Sequence, residues 1–396
     1  MISHKQQRPK ALVLAFKNLY INKTDDVFYE ALKKVFEVTF YGPGYVSLDN
    51  LILDAEKIFE IHGPFDVCFI HQYVTHNLHS FPKNVSNTSK IQKFYFDTKD
   101  FKSKYFKFGY NYNNLPVPKF LISLRSDVYA FSEKEEEEFS MFCGHLFMPP
   151  PNCIAPLSMQ SDECKHFIEK SSDRFIKFSE KNSEKIIPTA HIISTSDFIQ
   201  KTLNKTYTVS VPGVVYAGRL EAINQLKAKG IPLKTSPFFF FDCAYSILEQ
   251  KLKLSMLPKG LFIKYKQHTF KYLISRSKVS FTNGSAAQIP VRKFFEIPAY
   301  GSLLAAEPFY NASSLGFKDG INYVKCNSNT IADVVSHACN NLDWTNTIIK
   351  NARKFIYKTH SELAWAKYIK RIYTLVKAQR FQKSVWVNGQ MSIEEK

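Results

Sequence analysis

Short apolar runs alternate with amphipathic stretches along this chain, and the alternation begins again halfway. In the first half, amphipathic stretches at 25–36 and 50–60 separate such runs, and the first of them opens on Asp25 and Asp26, which can cap a helix. The predicted strands of this half lie at 10–16, 37–41, 65–70, 118–124 and 186–194. Short continuous apolar runs are typical of parallel strands that are buried on both faces. Because parallel strands need crossover helices, the order predicts an α/β fold with a parallel sheet.

The second half repeats this pattern with strands and helices of its own. Its predicted strands lie at 207–217, 279–281, 303–305 and 321–326, and 236–241 is a further apolar run that we expect to be buried. Three helical stretches close the chain, the last of them at 362–381. A chain of 396 residues also exceeds what one ordinary core accommodates. We therefore expect two successive Rossmann-like domains with a boundary near residue 200. The polar stretch 76–115 is predicted to be a long loop.

The chain carries a formal net charge of +18, from 53 Lys and Arg against 35 Asp and Glu. Such an excess attracts polyanions, which include nucleic acid, anionic membrane surfaces and diphosphate ligands. The basic residues are mostly lysines spread along the whole chain, and they form no arginine-rich arm or nucleic-acid module. Nucleic acid is therefore kept only as an alternative partner, and a peripheral membrane contact is compatible with the charge. The oligomeric state is left open.

Cysteine usage and the absence of apolar segments indicate the compartment. The seven cysteines are scattered without a C-x-x-C pair, which favours reduced thiols. No apolar run approaches the roughly 20 residues of a membrane-spanning helix, and the first ten residues are polar and basic. We therefore expect a cytoplasmic protein.

The segment 278–307 has the pattern strand, loop, helix, glycine turn, strand. Arg292 and Glu296 are four positions apart and share one helix face, and Gly301 falls where the helix must stop. A guanidinium group suits phosphate because it forms paired hydrogen bonds, and a carboxylate among apolar neighbours needs a partner. The alternative is that the two side chains form only a surface ion pair.

A second candidate element runs from Val211 to Arg219, where an apolar strand turns into a helix and places the arginine at the helix start. Lys278 precedes a further predicted strand, and Asn283 and Gly284 follow it. The carboxyl end of a strand is where α/β folds bind ligands. The structural alternatives are a surface arginine, a strand-flanking lysine and an ordinary Asn-Gly turn.

These segments together resemble the donor-binding half of GT-B glycosyltransferases, in particular the glycosyltransferase group 1 and CgeB-like (spore-maturation) type. The resemblance covers about residues 207–372, where the motif R-x-x-x-E-x-x-A-x-G stands as Arg292 to Gly301 and Y-x-x-R as Tyr216 to Arg219. The common pattern has two glutamates eight positions apart, and the first of these is Gln288 here. The resemblance implies two facing Rossmann-like domains with a cleft between them. Residues 1–200 would bind the acceptor, 201–358 would bind the donor, and 359–396 would form a helix that crosses back to the first domain.

The resemblance also implies a function. It would be a hexosyl- or pentosyltransferase that moves sugar from a nucleoside-diphosphate donor to a hydroxyl of a glycan or glycoconjugate. We expect retention of configuration, no metal ion and no cofactor. The implied donor-binding residues are Tyr216, Arg219, Lys278, Asn283, Gly284, Arg292 and Glu296. Arg292 would also be catalytic by offsetting the charge of the leaving diphosphate.

Polar residues after the strands of the first half are candidates for the acceptor side. Lys17 and Asn18 follow the first strand, Gly44 lies in the turn after the second, and His71 follows the third. His71 is the candidate base, although a lone histidine is often structural. Asp127 is the alternative base if the reaction inverts configuration.

Two rival functions and one metal site remain open. Gln288 in place of a glutamate would suit a sugar-nucleotide or glycan-binding protein without catalysis on the same fold. The net charge of +18 would suit a nucleic-acid-binding protein. Four residues have side chains that suit zinc, but their spacing matches no known finger, so a metal site there is left open: Cys143, His145, Cys164 and His166.

Overall fold

A computed structural model of the protein describes most of the chain and supports all structural statements below. The described residues are 7–15, 23–42, 45–47, 50–52, 54–72, 112–124, 136–137, 139–148, 150–155, 171–198, 204–213, 217–235, 259–284 and 288–396. Within them the chain forms two parallel β-sheets and one antiparallel hairpin.

The first sheet has six parallel strands in the order β2-β1-β3-β4-β5-β6. Its strands are β1 (Lys10–Leu14), β2 (Glu37–Tyr41), β3 (Val67–His71), β4 (Lys119–Ser123), β5 (Gly144–Phe147) and β6 (Ile186–Pro188). The helices of this part are α1 (Thr24–Val35), α2 (Ala55–His62) and α3 (Ser171–Lys181). In β1, Leu12 and Leu14 pack on one face of the sheet, and Ala11 and Val13 pack on the other. Burial on both faces is the reason that these runs are continuously apolar.

The second sheet has five parallel strands in the order β11-β10-β9-β7-β8. Its strands are β7 (Tyr207–Val211), β8 (Leu233–Thr235), β9 (Ser277–Asn283), β10 (Leu303–Glu307) and β11 (Val324–Lys325). Its helices are α4 (Ala217–Ala228), α5 (Lys259–Arg276), α6 (Lys293–Ala299), α7 (Ile331–Asn340), α8 (Leu342–His360) and α9 (Glu362–Lys377). None of the described helices combines the length and apolar character needed to cross a membrane.

The parallel α/β architecture is confirmed, and several element boundaries differ from the prediction. The strand expected over 207–217 ends at Val211, because Pro212 cannot donate to the ladder and Gly213 has a φ of 95°. The strand expected over 186–194 ends at Pro188, and the segment after it pairs with the last helices instead. Two short strands, β5 and β8, were not predicted, and the apolar run at 236–241 lies outside the described residues.

An antiparallel hairpin follows α9 and was missed by the sequence analysis. It consists of β12 (Phe381–Val387) and β13 (Gln390–Glu395), joined by Asn388 and Gly389 with φ angles of 49° and 83°. Both angles are positive, as a two-residue hairpin turn of the Asn-Gly type requires. Trp386 Nε1 donates to the Pro188 carbonyl at 2.8 Å, and the Gly389 amide donates to the Ser314 carbonyl at 2.9 Å. The hairpin therefore contacts both halves of the chain.

The two sheets share one continuous apolar core. A single cluster of buried side chains includes Val13 from β1, Phe294 from α6 and Trp365 from α9. Helix α9 also packs on α1, where the rings of Phe36 and Tyr373 lie 5.1 Å apart edge to face. The last helix thus belongs to the core of the first sheet as much as to the second.

The hairpin turn packs closely against one glycine of the second half, and this contact makes a testable prediction. A Cβ on Gly316 would lie 2.6 Å from Phe355 Cε2 and 2.7 Å from Gly389 Cα. Gly320 also has a positive φ, of 68°, but a Cβ there would meet nothing within 4 Å. We expect Gly320→Ala to lower the free energy of unfolding by about 1 kcal/mol through backbone strain alone. Gly316→Ala adds a steric clash and is expected to cost about 1–3 kcal/mol more.

Urea unfolding of both variants measures these costs. Equal losses of stability would contradict the close backbone packing between residues 316 and 389.

Candidate functional site

The carboxyl edges of the two sheets meet at the start of α6. Helix α1 begins after the carboxyl end of β1, and α6 begins after the carboxyl end of β9. Arg292, at the N-cap of α6, donates from Nη1 to the Ile192 carbonyl at 3.2 Å and to Thr24 Oγ1 at 3.4 Å. A residue of the second half thus contacts two segments of the first half at the edge where parallel sheets bind ligands.

Arg292 and Glu296 form a buried ion pair. The Nε–Oε1 distance is 2.7 Å, and the side chains are only 8% and 12% exposed. Burial acts to lower the pKa of Arg292, but Glu296, Tyr300 and Asp197 together outweigh burial, so the pKa is raised. The two residues therefore share one helix face, as predicted, and form an ion pair there. The pair is buried between the halves of the chain, which differs from the surface pair considered as the alternative.

The carboxylate of Glu296 belongs to a wider network at this junction. Burial, followed by Glu296 and Asp197, raises the pKa of Tyr300 well above its ordinary value. Asp197 Oδ1 lies 3.2 Å from Lys271 Nζ, and that ammonium group sits 5.4 Å from the centre of the Tyr300 ring. The start and the end of α6 are thus both held by charged groups.

Two cations converge at the carboxyl edge of the second sheet. A Cβ built on Gly213, just after β7, would lie 3.0 Å from Lys293 Nζ and 3.3 Å from Arg219 Nη1. Lys293 is the first residue of α6, and Arg219 lies in the first turn of α4. Arg219 is buried, and its Nη2 donates to Thr282 Oγ1 at 3.2 Å. A Cβ at position 213 would displace the end of the Lys293 side chain, and the φ of 95° there also favours glycine.

The end of β9 completes this edge. Asn283 is buried, and its Nδ2 lies 3.0 Å from the position that a Cβ on Gly218 would take. The side chain therefore packs against the amino end of α4, whose free amides favour anions. Gly284 instead packs closely against Phe309, because a Cβ at position 284 would lie 3.0 Å from Phe309 Cβ. We define Gly213, Gly218, Arg219, Asn283 and Lys293 as the cationic cluster.

His71 lies at the carboxyl end of β3, as predicted, and is buried. Its Nε2 is 3.8 Å from Asp25 Oδ1, which is ion-pair range but longer than a hydrogen bond. Asp25 was expected to cap α1. Instead Lys23 is the N-cap, and Asp25 and Asp26 occupy the first turn, where the helix dipole favours acidic side chains. The structure therefore places a histidine and a carboxylate together at the carboxyl edge of the first sheet.

The remaining predicted site residues fall into two groups. Lys278 is the second residue of β9, and Asn283 is the last, so the two lie about 15 Å apart at opposite ends of the strand. The structure therefore does not bring Lys278 to the cationic cluster. The others lie outside the described residues, and they are Lys17, Asn18, Gly44, Asp127 and Tyr216.

Cys143 and His145 have core environments. Burial lowers the pKa of His145 to about 3, and its Nε2 hydrogen-bonds to the Phe139 carbonyl at 2.6 Å. Cys143 Sγ donates to the Lys119 carbonyl at 2.9 Å, and burial raises its pKa to about 11. Cys164 and His166 lie outside the described residues. In the part of the chain that the structure describes, no three metal-binding side chains group together.

Lys293 and Asp25 were not predicted as site residues from the sequence. Lys293 directly follows the motif residue Arg292. A second basic residue at the helix start was the only sequence signal for a cation at this position. Asp25 was assigned a capping role, because nothing in the sequence links it to His71, which is 46 positions further along.

Comparison with known proteins yields structural likeness only. The sequence matches no known protein family and no curated protein at a significant level. Among solved structures, the HepE protein of Anabaena in complex with UDP and glucose has a TM-score of 0.52 and 10% identity, covering 93% of this chain and 100% of that chain. Sucrose-phosphate synthase of Thermosynechococcus elongatus has a TM-score of 0.51 and 9% identity, covering 94% and 100%.

A third similar structure is an alpha-glucosyltransferase in complex with UDP-glucose and DNA that contains an abasic site. Its TM-score is 0.51 at 9% identity, with 93% of this chain and 100% of that chain covered. At such identity the likeness shows the fold alone. It confirms the predicted GT-B fold with its two Rossmann-like domains, while the narrower CgeB-like resemblance stays a prediction.

The buried pair between Arg292 and Glu296 predicts strong energetic coupling. We expect Arg292→Met and Glu296→Gln each to lower the free energy of unfolding by about 3 kcal/mol, because each leaves a buried charge or donor without its partner. The double variant should cost clearly less than the sum of the two.

Urea unfolding of the four proteins in this cycle measures the coupling. The exposed pair between Lys33 and Glu30, with N–O distance 2.7 Å, is the matched control, and we expect a coupling of about 0.5 kcal/mol or less there. Strict additivity for Arg292 and Glu296 would show that their contact contributes nothing.

Proposed function

We propose that this chain is a GT-B glycosyltransferase that transfers a sugar from a nucleoside-diphosphate donor to a hydroxyl of a glycan or glycoconjugate. The observation that carries the proposal is the convergence of Arg219 and Lys293 on Gly213, at the ligand-binding edge of the second sheet. HepE and the alpha-glucosyltransferase, which share the fold, have been solved with UDP or UDP-glucose bound. In this proposal, Arg219 and Lys293 would bind a nucleoside-diphosphate ligand of the class bound in those structures.

The cationic cluster is the proposed site of the donor diphosphate. Two like charges at close range repel each other, and a diphosphate supplies the negative charge that offsets both. The amino end of α4 and the Asn283 amide would add neutral hydrogen-bond donors. Since negative charge develops on the diphosphate as the glycosidic bond breaks, cations fixed beforehand lower the barrier. Tyr216 stays a sequence-based candidate for binding the same donor.

Arg292 and Glu296 have a supporting role in this proposal. Their ion pair fixes the start of α6 against Ile192, and Lys293 lies directly after Arg292. The pair would thereby hold the lysine in place at the cluster. Direct contact of Arg292 or Glu296 with the donor, which the family resemblance implies, stays a prediction.

His71 and Asp25 are the proposed acceptor-side groups. A histidine at the end of β3 would accept or orient the proton of the attacking hydroxyl, and a carboxylate 3.8 Å away would help to orient the ring. This arrangement suits either stereochemical outcome, with retention the initial prediction. Lys17, Asn18, Gly44 and Asp127 remain sequence-based candidates. Independence from metal ions also stays a prediction.

The donor site is tested by thermal unfolding with nucleotides. UDP, GDP and dTDP, each with a matching nucleotide-sugar, are added at millimolar concentration. Because a ligand that binds only the folded state must stabilise it, one nucleotide family should raise the Tm by about 2 °C or more. The increase should disappear in Arg219→Met.

The matched control is Arg371→Met, which removes an arginine that pairs with Glu395 at the surface. That variant should keep the full nucleotide effect. An unchanged Tm with every nucleotide, in a folded wild-type protein, would overturn the proposed donor site.

The acceptor-side groups are tested by turnover. We expect His71→Gln and Asp25→Asn to lower donor turnover, measured as nucleotide release with and without glycan acceptors, by about 100-fold or more for the histidine. The increase in Tm with nucleotide should persist, since neither residue belongs to the cationic cluster.

The exposed His268 provides the control substitution His268→Gln, which should leave turnover unchanged. Full activity of His71→Gln would remove the histidine from the mechanism. Nucleotide binding without turnover in wild type, across a panel of acceptors and with water alone, would instead favour the non-catalytic rival.

A further inference from the structure

The surroundings of Lys293 disfavour a positive charge on its side chain. Its Cε would lie 2.6 Å and its Nζ 3.0 Å from a Cβ on Gly213, so the backbone after β7 closes over the end of the side chain. The lysine is only partly exposed to solvent, while its neighbours Arg292 and Phe294 are buried. Among the described residues, no carboxylate pairs directly with its ammonium group.

Two charged groups of the described residues act on Lys293 from the elements around it. Burial first, and then the Arg219 guanidinium from α4, lower its pKa well below the ordinary value, while Glu296 on its own helix raises it. Glu296 cannot fully compensate, because its Oε1 already lies 2.7 Å from Arg292 Nε. The empty site therefore disfavours the charged form of this amine relative to that of an exposed lysine.

A diphosphate would reverse this balance. Two negative charges beside Arg219 would cancel the repulsion that Lys293 feels and would favour its protonated form. The amine would then donate as an ammonium group, and charge-assisted hydrogen bonds to phosphate are stronger than neutral ones.

We infer that Lys293 takes up a proton from solvent when a donor diphosphate enters beside Arg219, so that the second cation of the site forms only on binding. The step adds one proton to the amine and breaks no covalent bond. This inference rests on the proposed function, since it requires a diphosphate ligand at the cationic cluster.

The inference fixes how affinity depends on pH. Below the pKa of Lys293 in the empty site, the lysine is already charged and affinity does not change with pH. Above that pKa, the proton must be supplied at binding, and affinity should fall by up to about tenfold per pH unit. The fall stops at the higher pKa of the loaded site.

Titration calorimetry in two buffers counts the proton directly. UDP-glucose is the first probe, with GDP-mannose and dTDP-glucose in parallel, because a diphosphate diester has no group that titrates near neutral pH. Each is titrated into wild-type protein at about pH 7.5 in Tris and in PIPES, whose ionisation enthalpies differ widely. Proton uptake makes the observed heat depend on the buffer, and we expect between about half a proton and one proton per donor bound.

Lys293→Arg is the matched variant, because a guanidinium is charged at all accessible pH values. If the variant binds, its heat should be the same in both buffers and its affinity should not vary over about pH 6.5–8.5. Lys293→Met should bind more weakly and also without proton uptake. If neither variant folds, the buffer and pH dependence of wild type still decides.

The outcomes separate the two proposals. No heat and no increase in Tm with any nucleotide-sugar would overturn the proposed function itself. Binding with identical heats in the two buffers would overturn proton uptake while leaving the donor site intact. Uptake that persists in Lys293→Arg would assign the proton to another group and would equally overturn the inference.

Discussion

The arrangement of the two domains depends on the ion pair and the hydrogen bonds of the buried Arg292 guanidinium. A charge removed from water must be paired and hydrogen-bonded. Arg292 meets this requirement with Glu296 from its own helix and with Ile192 and Thr24 from the other half of the chain. The partners come from both domains, so a change in the angle between the domains would break at least one of these bonds. The first residues of α6, including Lys293, are therefore fixed relative to α1.

The segment after β6 reinforces the same junction. Ile193 accepts from the Glu362 amide at 3.1 Å and donates to the His360 carbonyl at 2.8 Å, so the chain between the domains pairs with the break between α8 and α9. The Glu362 carboxylate in turn accepts from the Thr195 amide and hydroxyl at 3.0 and 2.8 Å. Polar groups near the apolar core are thus satisfied by partners across the junction.

Local signals in the sequence predicted the elements, while contacts between distant segments had to be seen in the structure. The strands of the first 70 residues were predictable because double-sided burial demands continuous apolar runs. The shared face of Arg292 and Glu296 follows from helix geometry alone. Their burial does not, because it depends on Ile192 and Thr24, which are 100 and 268 positions away. The hairpin was predictable in principle, since Asn388-Gly389 between two alternating stretches is a strong turn signal.

The candidate site shows the same division between local and distant information. His71 was placed correctly because a histidine directly after a buried strand must lie at the edge of a parallel sheet. Its neighbour Asp25 belongs to another strand-helix unit, and periodicity carries no information about that pairing. Lys293 and Arg219 are likewise far apart in the sequence, and both side chains lie beside Gly213 in the structure.

The hairpin also bears on the order in which the molecule can mature during synthesis. The last described strand of the two parallel sheets ends at residue 325. Both sheets can therefore emerge from the ribosome before residues 381–395 have been synthesised. Trp386 and Gly389 are the groups that bond to Pro188 and Ser314. Until they emerge, the edge of β6 and the loop at residue 314 lack these partners. The final arrangement is therefore reached only after translation of the hairpin, and a nascent chain that stalls earlier would expose the apolar surface that Trp386 covers.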